Sequence, residues 1–459
     1  MNKVSKTIYR TLLAGLGIVA VSACSDYIDK SPILETSPAI IVKSEDKIET
    51  YLEGVYARLS SAIPTYFLDT DLRGEDWERT VDNGNLNSYD MNISVAGSSG
   101  EWNSLYKAIG EANDFLAVLG DGASVVGDNY QRLRAEALFV RALSYYYLNV
   151  LYARAYKLNP DANSVPLRLG TPETSANDLA PSTVSEIISQ VLADVSNENI
   201  AALRNEVGTY NGATHATQAA AHVLRQRAYL EKEDWQGVVS EGNAVTGYSL
   251  GDIRAIFAPP YYNEETIFSF AYSVNNKNGL AGNYYLGNNN AIDDNYGIAA
   301  NPLYSQPADV RYSALTIQRG DRITSSKFVD RTDGTDWIPV FRYAEVLLNN
   351  AEAYYNLGNE EQARQLLLQV RRRSIAAADD ALDESTLSGT TLRDAIYNER
   401  RWEFIGEGQR SIDLHRRAAT ILKRAGSVRE IRVEPTDQLY IWPIPLTETS
   451  QNSLIKATN

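Results

Sequence analysis

The chain has 459 residues, 44% of them hydrophobic and 22% charged, the balance of a globular protein rather than a disordered one. Its formal net charge is −15 and no Lys/Arg-rich run occurs, so the basic footprint that a nucleic-acid partner requires is absent. A lone cysteine, Cys24, excludes any internal disulfide, and stability has to come from a buried core.

Residues 1–23 read as a signal peptide. Lys3, Lys6 and Arg10 form a basic start, Leu12 to Val21 form a short apolar run, and Ser22-Ala23 supply small residues before a cleavage point. About ten apolar residues are too few to cross a bilayer core that needs roughly 20. Cys24 follows directly, so V-S-A-C resembles a lipobox, although Val21 stands where that motif more often has Leu. The expectation is a lipid on Cys24 tethering the protein to a membrane; an ordinary secreted protein with an incidental cysteine is the alternative.

Residues 24–43 are polar, carry Pro32 and Pro38, and suit an extended tether. From Asp46 the apolar residues Ile48, Leu52, Val55 and Leu59 recur at helical spacing. A polar loop is expected from Ala62 to Ser99, then a helix from Glu101 marked by Leu105, Ile109, Ala112 and Leu116. The segment from Asn129 to Arg154 is apolar on most faces, which predicts a central helix. Ser182 is the expected N-cap of the next helix, and two more cover Thr214–Leu230 and Trp235–Ala244.

Between residues 247 and 340 Gly, Asn, Asp and Tyr dominate, which predicts loops with short strands such as Thr266–Tyr272. Helices resume over Phe341–Leu357, Glu360–Arg373, Leu392–Gly406 and Gln409–Leu422. Ala228-Tyr229 with Asp234 to Gly237 parallels Ala353-Tyr354 with Glu360 to Ala363. Each pairs a small residue and an aromatic at one helix end with a small residue early in the next helix, the logic of tetratricopeptide hairpins.

Catalytic signatures are sparse. The three histidines, His215, His222 and His415, form no zinc motif, and no Walker loop or G-x-S-x-G elbow follows the leader. A glycosidase needs only two converging carboxyl groups, and 58 acidic residues leave that open. The run Glu399-Arg400-Arg401-Trp402-Glu403-Phe404 with Glu407, Arg410 and Asp413 alternates charge at helical spacing, which reads as an ion-pair scaffold rather than an active site. Loop aromatics make the other constellation: Trp77, Tyr89, Tyr261-Tyr262, Tyr284-Tyr285, Tyr296 and Trp337 lie among Asn and Asp, a composition suited to stacking sugar rings.

Four segments in order resemble the SusD/RagB family, the surface nutrient-binding lipoproteins of Bacteroidetes. They are Leu133 to Leu148, Arg342 to Ala353, Glu399 to Leu414, and Trp442-Pro443-Ile444-Pro445 with Glu448 and Asn452; Trp102, Tyr106, Ile109 and Asn113 also fit an early family helix. The resemblance implies a mainly α domain over residues 44–459, built of tetratricopeptide-like hairpins with long inserted loops and a few short strands. On that reading 44–246 is an N-terminal helical half, 247–340 a loop-rich ligand-binding insertion, and 341–459 a C-terminal helical half. It also implies an outer-membrane, cell-surface lipoprotein that captures oligosaccharide and passes it to a SusC-like TonB-dependent transporter without catalysis. A peptide-capturing member is the alternative, and a lipid-anchored glycoside hydrolase a more distant one.

No binding residue transfers from the family by motif. Composition and loop position alone select Trp77, Tyr89, Tyr284, Tyr285, Tyr296 and Trp337 as stacking platforms, with Arg73 and Asp76 as polar partners. No catalytic residue, metal ligand or cofactor is assigned; a structural calcium in the Asp/Asn-rich loops stays open.

Overall fold

In the computed structural model, which describes residues 42–79, 91–171, 178–284, 296–298, 306–319, 322–425 and 429–455, several helices begin at a capping side chain or a proline. Cys24, its leader and nearly all of the tether lie outside these residues. Ser44 caps Glu45–Ser60 (α1) by accepting from the Lys47 amide, and Ile48, Leu52, Val55 and Leu59 are buried as the spacing predicts. A second helix, Ile63–Arg73 (α2), then replaces the start of the expected polar loop. Its buried face carries Thr70, Asp71 and Arg73 beside Tyr66 and Phe67, so its stripe is chemically mixed and escapes a count of apolar residues.

The strand Trp77–Arg79 (β1) leads to two long helices, Ser99–Asp121 (α3) and Tyr130–Tyr152 (α4), packed against each other. Every residue of α4 from Ala135 to Tyr152 is buried, as its all-round apolar character predicts. The next helix, Val184–Asp194 (α5), begins one residue later than the sequence places it. Thr183, not Ser182, is the N-cap, and it forms a capping box with Glu186. Arg141 of α4 clamps Asp194 at the other end through two bonds of 2.8 and 2.7 Å.

After the short helix Tyr210–Thr214 (α6), the helices Gln218–Glu231 (α7) and Trp235–Ala244 (α8) form the first of the two similar hairpins. A Cβ on Gly237 would stand 2.8 Å from the Tyr229 ring, which explains the small residue at that place. The insertion contributes Thr266–Phe270 (β2), the helical turn Leu280–Tyr284 (α9), Tyr296–Ile298 (β3), Thr316–Arg319 (β4), Arg322–Ser325 (β5) and Ile338–Arg342 (β6). The second hairpin is Tyr343–Asn356 (α10) with Glu360–Ser374 (α11), and α10 packs on α8. Gly389–Glu403 (α12) and Arg410–Arg416 (α13) complete the helices named here.

The expected Gln409–Leu422 helix stops early. Ala418 takes a left-handed φ of 49°, and the chain turns into an antiparallel hairpin of Ile421–Ala425 (β7) and Arg429–Val433 (β8). The other pairings, β1–β3, β2–β6 and β4–β5, are also antiparallel ribbons of two strands. The result is a mainly helical protein with a few short strands, the fold class that the sequence implies.

The alternating charges of α12 belong to a buried lattice. Arg311 donates to Asp309, Glu399 and Glu403 at 2.8, 2.6 and 3.0 Å. Arg342 donates to Glu407, Glu265 and Glu403 at 2.8, 2.9 and 2.9 Å, while Lys327 reaches Glu407 at 2.6 Å. Burial alone would raise the Glu403 carboxyl, but Arg373, Arg342 and Arg311 outweigh it and hold the group well below the usual range. Nearby, Arg400 donates to Asp413 at 2.9 Å and lies over the Phe404 ring. These side chains bolt the insertion to the C-terminal helices, the scaffold role expected from their spacing.

Among the described residues Glu231, at the end of α7, has neither a charge-pair nor a hydrogen-bond partner for its two buried oxygens. Burial pushes its carboxyl up to about 7, with Arg416 opposing. A folded-state pKa above the unfolded one means that stability is full at low pH and falls as pH rises through about 7. Urea unfolding of the parent and Glu231→Gln should therefore diverge, their difference changing by about 3 kcal/mol in favour of the variant between pH 4 and pH 8. An unchanged difference would show that Glu231 finds a partner in solution.

Candidate functional site

Two segments about 200 residues apart, both chosen from sequence for their aromatics, meet in the β1–β3 ribbon. Trp77 lies opposite Ile298, and Arg79 opposite Tyr296. Because the ribbon is antiparallel, the chain leaves β1 toward Tyr89 and enters β3 from Tyr285 at the same end of the ribbon. Tyr89 and Tyr285 themselves lie outside the described residues, and of Tyr296 only the strand position is described.

At the ribbon, Trp77 and Tyr284 pack with ring centroids 4.7 Å apart, and Phe328 stacks on Tyr284 at 6.0 Å. Trp77 and Tyr284 are almost wholly buried, at 2% and 0% exposure, so neither offers a free face for stacking. The sequence reading of both as platforms is corrected here: they support the ribbon. The Tyr284 hydroxyl donates to Asp71 at 2.5 Å, and the Gly408 amide donates to the same carboxyl at 2.8 Å. Burial nevertheless pushes Asp71 up to about 8.

The two chosen polar partners are structural as well. Asp76 is buried and accepts two bonds from Arg401, the nearer at 2.5 Å. Arg73 is buried, donates to the Tyr440 carbonyl at 2.5 Å and lies over the Trp442 ring. Burial lowers its guanidinium to about 10. Neither side chain reaches solvent to meet a ligand.

Trp337 is nearly buried, at 9% exposure, and forms the floor of a separate aromatic group. Tyr261 stacks on it at 5.7 Å and 17°, Tyr262 lies at 5.9 Å, and Tyr210 meets it edge-on at 5.4 Å. The sequence singled out Trp337, Tyr261 and Tyr262 but not Tyr210, which sits on a five-residue helix too short to show a period. A groove of about 900 Å³ runs elsewhere, along α3, beside Tyr106, Lys107, Arg168 and Glu448. Arg168 there covers the Tyr106 ring and pairs with Glu448 at 2.9 Å, so its aromatic face is already occupied.

In the charged lattice Glu399 and Glu403 are buried and both held by Arg311. Glu101 and Asp69 lie close enough to share a hydrogen bond; burial and Asp69 push Glu101 up to about 8. Contact that close leaves no room between the two for a glycosidic bond, which needs carboxyl groups at least about 5 Å apart. Among the described residues no group of three His, Cys, Asp or Glu could hold a metal ion, and no helix is long and apolar enough to cross a membrane.

Comparison with known proteins gives concordant results. Residues 26–230 match the family described as "Starch-binding associating with outer membrane", and residues 264–459 match the one described as "SusD family". A SusD superfamily protein of Bacteroides fragilis is 41% identical, and the match covers 91% of this chain and 100% of that one at a TM-score of 0.85. The SusD-like protein P25 of Formosa agariphila is 22% identical over 87% of this chain and 88% of its own length. A solved structure described as a laminarin binding SusD-like protein is 19% identical, with 91% and 99% coverage and a TM-score of 0.72; at that identity the likeness concerns the fold.

Proposed function

This chain belongs to the SusD family, and on that premise we propose that it captures oligosaccharide at the cell surface and hands it to a TonB-dependent outer-membrane transporter without cleaving it. The observation that carries the reading is the convergence at the β1–β3 ribbon: Trp77 and Tyr284 brace it, and the chain toward Tyr89 and Tyr285 departs from one end of it. A helical body that brings two aromatic- and Asn-rich stretches of sequence to one end of a ribbon suits a sugar-binding face. One relative is described as binding laminarin; the reading extends that class of ligand, not that glycan, to this chain.

Delivery gives Cys24 its part. A lipid on that residue holds the body at the membrane, and the polar tether leaves it slack. The purified protein should be retarded in native gels containing at least one of soluble starch, laminarin, xylan, inulin or arabinogalactan, and should release no reducing ends. Cys24→Ala should leave that retardation intact while cells lose uptake of the same glycan. Binding to peptide pools but to no polysaccharide would move the ligand class to peptide. Release of reducing ends would make the protein an enzyme, and normal uptake with Cys24→Ala would detach the anchor from the function.

A further inference from the structure

We infer that Tyr210, Tyr261 and Tyr262, standing on Trp337, form a second sugar-stacking platform separate from the β1–β3 ribbon; the inference rests on the carbohydrate reading above. Three stretches of chain, distant in sequence, supply the rings: the start of α6, the turn before β2, and the residue preceding β6. Core packing does not require this gathering, because Tyr210 remains 51% exposed and Tyr261 and Tyr262 are only half-buried. Exposed aromatic surface held together from separate segments marks an interaction site rather than a hydrophobic core.

The platform is held in shape. Trp337 is its buried base, and the nearly parallel Tyr261 ring covers one face of that indole. The Tyr261 hydroxyl donates to Asp336 at 2.9 Å, while Asp336 also accepts the Val329 and Asp330 amides at 2.6 and 2.8 Å. Tyr261 takes a left-handed φ of 66°, a conformation disfavoured for a bulky residue, and its amide is tied to the Ala258 carbonyl at 2.8 Å. The amide bond to Ala258 and the hydroxyl bond to Asp336 hold Tyr261 in that strained turn.

The polar edge is free. Neither the Tyr210 nor the Tyr262 hydroxyl has a hydrogen-bond partner among the described residues. Their rings meet edge-to-face at 6.3 Å, so two rings with free hydroxyls stand together over Trp337. A pyranose has one face of C–H groups that lies on an aromatic ring and a rim of hydroxyls that bond to such tips. Asn211, next to Tyr210, and Glu264, two residues after Tyr262, are both exposed. A free monosaccharide would gain little from so open a surface. The platform therefore suits a polysaccharide long enough to be held at a second point, where linkage raises the effective concentration.

The test uses the whole purified protein in the same five polysaccharide gels. The double variant Tyr210→Ala/Tyr262→Ala should bind about tenfold more weakly than the parent to the polysaccharide that retards it, whereas Tyr210→Phe/Tyr262→Phe should keep most of the affinity through its rings. Thermal melts of the variants should match the parent, since the Tyr210 ring is half in solvent. Unchanged affinity of the alanine variant, with the parent still bound, would overturn the platform and leave the capture reading standing. A parent retarded by none of the gels would overturn both. A lowered melting temperature shared by the alanine and phenylalanine variants, with affinity lost in both, would assign the rings to packing and reject the platform.

Discussion

Arg342→Met should lower the free energy of unfolding by about 3–5 kcal/mol, the cost typical of breaking a buried ion pair by removing one partner. Arg342 is 1% exposed and donates to Glu265, Glu403 and Glu407, which are themselves buried. Methionine fills much of the space but leaves the acids facing one another with fewer cations. Arg373 still serves Glu265 and Glu403, and Lys327 still serves Glu407, so the fold should survive at low temperature. Adding Glu407→Gln to Arg342→Met should recover part of the loss, because Glu407 keeps only one of its two cations in the single variant and its charge adds to the excess of buried acid. Urea unfolding at neutral pH measures all three proteins, and a midpoint equal to the parent's in Arg342→Met would refute the lattice as a source of stability.

Trp77→Ala should cost a similar amount, about 3–5 kcal/mol, through the cavity left beside Tyr284 and the loss of a ring contact at 4.7 Å. It should also abolish glycan retardation, since β1 and β3 would lose the brace that sets where the loops depart. Trp77→Phe separates support from direct stacking: a smaller ring in the same pocket should retain most of the affinity if Trp77 acts as a brace. Loss of binding in Trp77→Phe at unchanged stability would return Trp77 to the ligand surface. Calorimetric melts paired with affinity gels distinguish the outcomes.

The sequence carries the helical frame because its signals are local. Ile48 to Leu59, the all-apolar stretch of α4 and the twin hairpins each announce themselves within twenty residues or so. The same holds for the alternation around Glu399 and Arg400, whose scaffold role follows from spacing alone. Where the reading missed, the deciding partner was remote. Asp71 and Arg73 make α2 look polar, yet their partners Gly408 and Tyr440 lie more than 300 residues away. Trp77 in an Asn- and Gly-rich stretch resembles a loop aromatic until β3 closes over it. The β7–β8 hairpin escaped because Leu414 and Ile421 continue a helical count that Ala418 interrupts. Tyr210 was invisible as a platform residue for a further reason: only the folded chain brings it to Trp337.

The buried lattice also dictates when this protein can finish folding. A chain synthesised only as far as residue 398 contains Arg311 and Arg342 but lacks Glu399, Glu403 and Glu407. Until the last acids arrive, those arginines remain hydrated rather than docked, and the insertion that they bind has no firm seat. Incomplete chains therefore leave these charges undocked and also uncover the core faces that Trp402, Ile412, Leu414 and Trp442 would cover, which makes them prone to adhere to one another. The insertion therefore gains its ionic seat only when the C-terminal helices supply Glu399, Glu403 and Glu407.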